Sequence, residues 1–231
     1  MRPWTYLHPK PLLTLHDKPM IFWQIEKLIH SGVKHIVINL HHLRYFLRSV
    51  IEFHFYERLK AYPSVKLTFL EEEILLGTGG ALYGAKEFLQ ENFFLINSDI
   101  FHEVDYALLA QAHEKEGAFA TLVVQDSSCL PLKQVALGKN ERITRIAGVF
   151  FGDIHAPLTH AFMGLHVLSP DVFYYCNRKR EQCILRDIYS IAYLNGRELK
   201  AYSTEAYWND MGDMKAYRGI HEKYLKGELS I

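Results

Sequence analysis

The feature that most constrains the fold is the alternation of short apolar runs with amphipathic segments in the first half of the chain. The apolar runs predict buried strands and have the sequences KHIVINL, VKLTFL and FFLINSDI. The segments between them predict helices, at residues 20–31, 43–60 and 81–90. Asp17 fits the cap of the first helix, Pro19 its first turn and Gly32 its stop, and a further helix is predicted over residues 103–117. Because strands that alternate with helices form parallel sheets through right-handed crossovers, this half predicts a parallel α/β sheet.

The second half of the chain has a different sequence pattern. Its strand-like runs are separated by turns rather than by long helices, and their sequences are PLKQVALG, ITRIAGVFF and AFMGLHVLS. This pattern predicts antiparallel or mixed additions to the sheet. No linker divides the chain, so we expect one α/β domain over residues 1–231, with a mixed, mainly parallel sheet and helices on both faces.

Composition argues for a small-molecule partner. The chain has 26 basic and 26 acidic residues, so it lacks the broad charge that nucleic acid or an acidic membrane would attract. Cys129, Cys176 and Cys183 form no CxxC pair and are odd in number, which indicates reduced thiols and a cytoplasmic protein. Neither a secretory signal nor an apolar run long enough for a membrane helix is evident. Homo-oligomerisation is left open.

Two carboxylates are candidates for chemistry. Asp99 follows an apolar strand, at the edge where open α/β sheets bind ligands, although a turn or helix-cap role is an equal alternative. Asp210 lies in WNDMGD near the end of the chain, where an ordinary polar turn is the alternative. Two carboxylates from distant segments suit a Mg²⁺ ion bound to phosphates. Asp105 and Asp213 fit better as helix caps.

A glycine-rich segment, LLGTGGA, lies between a predicted strand and a predicted helix. Gly77, Gly79 and Gly80 would let the backbone approach a ligand at the helix N-terminus. The segment matches neither GxxxxGK[ST] nor GxGxxG, so on its own it is a weak signal for a nucleotide site. The absence of GxGxxG also argues against a dinucleotide-dependent oxidoreductase.

Several motifs together carry a resemblance to a known family. PKPLLTLHDKPMIFWQIEKLIHSGVKHIVINLHHL, ExxxLLGTGGAL, INSDI, FMGLHVLSPDVF and WNDMGD occur in that order. This order resembles the sugar-1-phosphate nucleotidylyltransferases, or NDP-sugar pyrophosphorylases. The short length is most similar to compact N-acetylmuramate-1-phosphate uridylyltransferases and mannose-1-phosphate guanylyltransferase-like proteins.

The resemblance implies a Rossmann-like sheet and an enzyme that makes NDP-sugar and pyrophosphate. Its substrates would be UTP or GTP and a sugar 1-phosphate, with Mg²⁺ as cofactor. It implies that Lys10 contacts phosphate as a catalytic residue and that Asp99 and Asp210 are catalytic metal ligands. The implied substrate-binding residues are Glu72 (with Glu71 as an alternative), Gly77, Thr78, Gly79, Gly80, Asn97 and Gly164.

The chain departs from the family at its beginning. The family starts with an apolar strand and GxGTRMxPLTxxxPKP, whereas MRPWTYLHPKP stands where MxPLTxxxPKP is expected. The first central strand, the glycine loop and its arginine are therefore missing. Losing one such electrostatic donor typically costs about 100- to 1000-fold in rate, so we expect this chain to be impaired. We expect the natural start to lie roughly 15 to 20 residues upstream.

Two functional hypotheses follow. The first is nucleotidyl transfer to a sugar 1-phosphate by Lys10, Asp99 and Asp210. The second is a catalytically silent homologue that binds nucleotide sugars or has a regulatory role. Such a protein would not need the arginine loop, so this hypothesis requires no upstream extension. Asp213 and Asp17, which stand where the family usually has Thr and Gly, leave the identity of the sugar open.

Overall fold

The structure is a computed structural model of the chain. It describes residues 6–126, 133–153, 155–177 and 180–228, so Cys129 lies outside the described residues. The helices are α1 (Met20–His30), α2 (Arg44–Arg58), α3 (Gly77–Ala85), α4 (Tyr106–Glu116), α5 (Ser190–Leu194) and α6 (Met214–Leu225). The strands of the first half are β1 (Thr14–Leu15), β2 (Lys18–Pro19), β3 (His35–Leu40), β4 (Lys66–Glu71), β5 (Phe93–Ile96) and β6 (Ile100–His102). The remaining strands are β7 (Ala120–Asp126), β8 (Gln134–Leu137), β9 (Ile143–Ile146), β10 (Val149–Phe150), β11 (Leu158–Leu168), β12 (Leu199–Ser203) and β13 (Trp208–Asp210).

The chain divides into two compact units. The first comprises Met1–Glu73, Asn97–Glu103 and Tyr207–Ile231, and the second comprises Ile74–Ile96 and Val104–Ala206. Each unit thus contains segments that are distant in sequence. The assignment of residues 1–231 to one nucleotidyltransferase domain stays a prediction.

The first unit contains the predicted β3–α2–β4 crossover. β3 and β4 pair in parallel from His35 opposite Lys66 to Leu40 opposite Glu71, as the sequence predicts. β3 is not buried on both faces, however, because buried residues alternate with more accessible ones along it. The apolar stripe of α2, formed by Leu47, Ile51 and Phe55, is buried.

A short hairpin precedes α1. β1 and β2 pair antiparallel around a turn at His16 and Asp17, and His16 adopts a left-handed conformation with φ of 58°. The prediction that Asp17 caps α1 and that Pro19 lies in its first turn is wrong. Pro19 is itself the N-cap residue, and no side chain caps this helix. The predicted stop at Gly32 is confirmed, because α1 ends at His30 and Gly32 has a φ of 84°.

The first unit also joins segments that are far apart in sequence. β6 and β13 pair antiparallel, and α6 follows β13 directly. A small core cluster beside them contains Leu15, Met20, Met211 and Ile220. The pairing of β6 with β13 was not predicted, because both strands are only three residues long and carry too little pattern.

The second unit contains a mixed sheet. Its strands follow the order β10–β9–β8–β11–β7–β12, and β5 also pairs with β11. The mixed α/β class is confirmed, but the parallel pairings among the described residues are only β3–β4 and β7–β12. The reason is the eleven-residue β11, which runs antiparallel to β5, β7 and β8.

β3 and β5 are each paired along one edge only. Within the described ranges, β3 pairs only with β4 and β5 pairs only with β11. An unpaired strand edge leaves a row of backbone N–H and C=O groups without ladder partners.

Two local features are the end of α4 and the state of the described thiols. Gly117 ends α4 in the left-handed conformation, and Cys176 and Cys183 are free thiols. Burial raises the pKa of the Cys176 thiol to about 12, so it stays protonated at neutral pH. Within the part of the chain that is described, no helix is both long enough and apolar enough to cross a membrane.

Asp105 caps α4 as predicted: its Oδ1 accepts hydrogen bonds from the N–H groups of Ala107 at 2.8 Å and Leu108 at 3.0 Å. We expect Asp105→Ala to lower the free energy of unfolding by about 1 kcal/mol, because these N–H groups lose their acceptor. Asp105→Asn keeps an acceptor at the same atom and is the matched control. Urea unfolding followed by circular dichroism measures both, and equal stability of the two variants would contradict the cap.

Candidate active site

The two candidate carboxylates lie on neighbouring backbone segments of the first unit. In the ladder between β6 and β13, Asp210 is opposite Ile100. One step further on, the N–H of Met211 donates to the carbonyl oxygen of Asp99 at 2.9 Å. The pairing brings Asp99 and Asp210 to the same end of this ladder, although more than a hundred positions separate them in the sequence.

Lys10 reaches both segments. It begins a short 3-10 helix, Lys10–Leu12, and its Nζ lies 3.6 Å from Oδ2 of Asp99. The same Nζ donates to the carbonyl oxygen of Gly212 at 3.3 Å, and the N–H of Gly212 donates to Oδ1 of Asp210 at 2.7 Å. The structure therefore brings Lys10, Asp99 and Asp210 together, and we call these three residues the acidic cluster.

Gln24 on α1 positions the turn that carries Asp99. Its Nε2 donates to the carbonyl oxygens of Asn97 and Ile100, both at 2.9 Å. Sequence reasoning missed this residue, because a single glutamine on an apolar helix resembles any polar surface position. The predicted substrate residue Asn97 lies in this turn and contacts Gln24 through its backbone.

His102, the last residue of β6, has an uncharged side chain. Lys27 Nζ donates to the carbonyl oxygen of His102 at 2.8 Å. Burial, and then the nearby Lys27 charge, lowers the pKa of His102 to about 3, so its imidazole is uncharged at neutral pH. His102 therefore adds no positive charge to this part of the first unit.

The donor set of the acidic cluster fits Mg²⁺. Mg²⁺ is usually bound by one or two carboxylates, with water and substrate phosphates completing its octahedron. Asp99 and Asp210 would supply two hard oxygen ligands of this kind. No group of three or more His, Cys, Asp or Glu side chains that could hold a metal occurs among the described residues.

Glu72, rather than Glu71, has the properties of a ligand-binding carboxylate. Glu71 is already paired, with Oε1 at 2.9 Å from Arg48 and Oε2 at 3.8 Å from Arg44. Glu72 is 8% exposed, and neither of its carboxylate oxygens has a hydrogen-bond partner among the described residues. Because burying an unpaired carboxylate is costly, donors from outside the described chain are the expected partners.

The backbone around Glu72 is firmly held. Its N–H donates to the carbonyl oxygen of Leu40 at 2.7 Å, and its own carbonyl oxygen accepts from Arg44 Nη1 at 3.2 Å and His41 Nδ1 at 3.1 Å. Glu72 follows β4, and these partners follow or end β3, so it lies at the carboxyl edge of a parallel strand pair. This is the edge at which α/β sheets bind ligands.

The glycine-rich segment belongs to the second unit and differs from its predicted form. Residues 77–80 are the first turn of α3 rather than a loop before it, and Thr78 in that turn is exposed. A Cβ at Gly77 would lie 2.7 Å from the carbonyl oxygen of Gln182, and one at Gly79 would lie 2.7 Å from Ile188 Cδ1. One at Gly80 would lie 2.5 Å from the Leu76 side chain. Close packing within the chain thus requires these glycines.

The N-terminus of α3 is partly satisfied by the chain itself. The N–H of Gly79 donates to the carbonyl oxygen of Gln182 at 2.9 Å, and the N–H of Gln182 donates to Leu76 at 2.9 Å. One fewer N–H is therefore available to an anion than the sequence suggested. The roles of Gly77, Thr78, Gly79 and Gly80 in substrate binding stay predictions.

Gly164 lies at an irregularity of β11 in the second unit. The register between β11 and β7 shifts between Phe162 and His166, and Gly164 has a φ of 80°. Glycine is favoured at such a bulge because this conformation disfavours a Cβ atom. Its predicted role on the sugar side stays a prediction.

Asp213 caps α6 as predicted. Its Oδ1 accepts from the N–H of Ala216 at 2.8 Å, and this hydrogen bond holds the pKa of Asp213 below its usual value. The cap is therefore present at neutral pH and is lost as pH falls through the lowered pKa. The capping role provides a structural reason for aspartate at this position.

The sequence profile of the nucleotidyl transferase family matches residues 1–227. The chain belongs to this family. The resemblance carried by the ordered motifs is confirmed at the level of the family, and the match includes segments of both units.

Individual relatives agree with this placement. Over 223 residues the chain is 30% identical to mannose-1-phosphate guanyltransferase of Schizosaccharomyces pombe, covering 94% of this chain and 59% of that protein. The chain thus spans about three fifths of the length of the curated relatives it matches.

Solved structures share the fold. A putative glucose-1-phosphate thymidylyltransferase from Bacillus anthracis superposes with a TM-score of 0.79 at 19% identity, covering 100% of this chain and 92% of that one. HddC from Yersinia pseudotuberculosis, complexed with GMP-PN, has a TM-score of 0.71 at 22% identity and covers 94% and 90%. At these identities the likeness concerns the fold alone.

The packing around α3 gives a testable difference between two glycines. Gly77 and Gly117 both have positive φ, but only Gly77 has another atom within 4 Å of a built Cβ. We expect Gly77→Ala to lower the free energy of unfolding by about 1 to 3 kcal/mol more than Gly117→Ala, because the added methyl group meets rigid backbone. Thermal and urea unfolding measure the difference, and equal losses in the two variants would contradict the packing role.

Proposed function

We propose that this protein transfers a nucleotidyl group from a nucleoside triphosphate to a sugar 1-phosphate, giving an NDP-sugar and pyrophosphate. The observation that carries the proposal is the acidic cluster, in which a lysine and two carboxylates from three distant segments meet. Membership of the nucleotidyl transferase family supports this chemistry over any other use of such a cluster.

In the proposed reaction, a phosphate oxygen of the sugar 1-phosphate attacks the α-phosphorus in line, and pyrophosphate leaves. Lys10 donates to a phosphate oxygen and offsets the negative charge that develops there. The Lys10 and Asp99 side chains are 38% and 31% exposed, so their ion pair is worth little and is easily exchanged for phosphate. Gln24 keeps Asp99 in place by holding the turn on both sides.

Asp99 and Asp210 would hold Mg²⁺. When bound, the ion neutralises phosphate charge and aligns the triphosphate. The ladder between β6 and β13 fixes the backbone of both aspartates before any ligand arrives. The hydrogen bond from Gly212 to Oδ1 orients the Asp210 carboxylate. This pre-organisation lowers the entropy cost of binding.

We further propose that the preferred base is guanine and that Glu72 reads it. An ionised carboxylate only accepts hydrogen bonds, and the N1–H and N2–H groups of guanine are adjacent donors that can satisfy two oxygens at once. The two unpaired oxygens of buried Glu72 fit that pattern. Uracil offers a single N–H between two carbonyl groups. The relatives named mannose-1-phosphate guanyltransferase support the same base, and mannose 1-phosphate is the first sugar to test.

A cytoplasmic location is part of the proposal. The free thiols Cys176 and Cys183 support it, because a reducing compartment keeps such thiols unpaired.

The direct test is an assay of pyrophosphate release with Mg²⁺, GTP or UTP, and a panel of sugar 1-phosphates. Formation of an NDP-sugar, identified by chromatography, supports the proposal. Nucleotide binding without turnover would favour the silent, nucleotide-sugar-binding homologue. If the chain neither binds nor turns over any of these substrates, the proposed function is wrong.

The two aspartates should be essential for turnover. We expect Asp99→Asn and Asp210→Asn each to lower kcat by about 100- to 1000-fold, because each removes a charge that aligns the triphosphate. Asp153→Asn, in the second unit, is the matched control and should retain full activity. Near-wild-type rates in both variants, with folding verified by circular dichroism, would exclude the proposed metal ligands.

Base preference tests Glu72 separately. We expect Glu72→Gln to lower the ratio of kcat/KM for GTP over UTP by about 10- to 100-fold, since glutamine replaces one acceptor oxygen with a donor. Glu73→Gln changes the same charge at the exposed neighbouring position and should leave the ratio unchanged. An unchanged ratio in Glu72→Gln would show that Glu72 does not read the base.

A further inference from the structure

Helix α2 has a second apolar face, opposite the buried stripe through which it packs in the first unit. This outer face carries the rings of Phe46, Phe53 and Tyr56, and the small residue Ser49 lies between the first two. The spacing of three, four and three residues places all four on one line along the helix. We call these four residues the outer stripe. The outward face of a surface helix is normally polar, so three rings on it are unusual.

The rings of the outer stripe are open to solvent. Phe53 is 89% exposed, Tyr56 is 67% exposed and Phe46 is 48% exposed. Tyr45, which lies beside the stripe, is 66% exposed. Single exposed apolar side chains are ordinary, whereas a contiguous apolar patch marks an interaction site. The outer stripe therefore indicates a docking surface.

Polar groups in and beside the outer stripe already have partners within the chain. Ser49 Oγ donates to the carbonyl oxygen of Phe46 at 2.9 Å, so its hydroxyl proton is satisfied without water. Lys60 Nζ lies 4.7 Å from the ring centroid of Tyr56 and 2.7 Å from Oε1 of Glu57. Covering the stripe therefore costs little in hydrogen bonds lost to water.

The outer stripe is complementary to itself in an antiparallel arrangement. Its four positions lie symmetrically about position 51, so two antiparallel copies of α2 with a two-fold axis there align 46 with 56 and 49 with 53. Ser49 of each copy then faces Phe53 of the other, and a small residue receives a ring at both central contacts. Phe46 faces Tyr56 at both ends, where aromatic pairs pack favourably. A parallel arrangement would place Phe53 against Phe53 and Ser49 against Ser49.

The exposed area is sufficient for a dimer of modest affinity. An aromatic side chain can bury about 150 to 250 Å², so the exposed fractions of Tyr45 and the three stripe rings correspond to roughly 400 to 700 Å² in each copy. Two copies together would remove roughly 800 to 1,400 Å², which reaches the ~1,000 Å² that a specific interface needs. Such a small interface predicts a dimer that exchanges with monomer at micromolar concentrations.

The charges beside the outer stripe favour a protein partner over a lipid surface. Arg48 pairs with Glu52 at 2.9 Å, and Lys60 pairs with Glu57 at 2.7 Å. Charges of both signs thus flank the stripe, whereas helices that lie on acidic membranes carry mainly Lys and Arg on their polar face.

We propose that a second copy of this chain docks on the outer stripe, giving a two-fold dimer in which two α2 helices pack antiparallel. Each copy covers the exposed rings of the other, and removal of this apolar surface from water drives association. The contact uses the same patch on both copies, so it closes at two chains. The proposal does not depend on the nucleotidyl transfer reaction.

Sedimentation equilibrium of the full chain, between about 1 µM and about 200 µM, tests the dimer because this range brackets a micromolar Kd. We expect the average mass to rise with concentration from that of one chain toward that of two. Phe53→Glu should weaken the dimer at least about tenfold, because it places a carboxylate at both central contacts. Tyr174→Glu replaces an exposed ring of the second unit, and it should dimerise like the unmodified chain.

Two results of this experiment would overturn the proposal. One is a mass that stays at that of one chain throughout, including the case in which the monomer sediments with vesicles of phosphatidylcholine and phosphatidylglycerol, which would assign the stripe to a membrane surface. The other is equal dimerisation of Phe53→Glu and the unmodified chain, with the fold of the variant verified by circular dichroism.

A size exchange tests the antiparallel register. We expect Ser49→Phe to weaken the dimer because two rings then meet at each central contact, and Phe53→Ser to weaken it because those rings are lost. The double variant Ser49→Phe/Phe53→Ser restores a small residue opposite a ring, and it should dimerise more tightly than either single variant. A double variant no tighter than the single variants would contradict the proposed register.

Discussion

The hydrogen bond from the N–H of Met211 to the carbonyl oxygen of Asp99 is the contact on which the candidate site depends. It extends the short ladder between β6 and β13 by one step, and so brings the two aspartates to one end of that ladder. The Gln24 amide braces the same turn from α1. Backbone and amide bonds, rather than the flexible Lys10 side chain, therefore fix the carboxylates. Lys10 is left to change partners when phosphate arrives.

The three carboxylates of interest differ in how their negative charge is satisfied. The partly exposed ammonium group of Lys10 lies near Asp99, and two arginines form ion pairs with Glu71. Glu72 is buried with no hydrogen-bond partner in the described chain, which is the expensive case. A buried polar group with no partner in a native structure calls for an explanation, such as a catalytic role or a bound ion. This contrast is why we assign Glu72, and not its neighbour, to the base.

The sequence predicted most elements whose pattern is long and local. β3, β4, α2 and α4 and the caps at Asp105 and Asp213 were predicted, because apolar periodicity and capping chemistry are encoded within a few residues. The start of α3 was placed too late, since glycines are read as a loop when their close neighbours near Gln182 are unknown. The antiparallel pairing of β5 with β11 and the role of Gln24 depend on contacts distant in sequence, which no local pattern reports.

Mn²⁺ binding, measured by electron paramagnetic resonance in the presence of GTP, tests the central claim most directly, because it reports the two aspartates without requiring turnover. The account predicts that the unmodified chain binds Mn²⁺ in a GTP-dependent manner. It also predicts that replacing either Asp99 or Asp210 by asparagine weakens this binding at least about tenfold. Equal Mn²⁺ affinity in the unmodified chain and both variants would contradict the account.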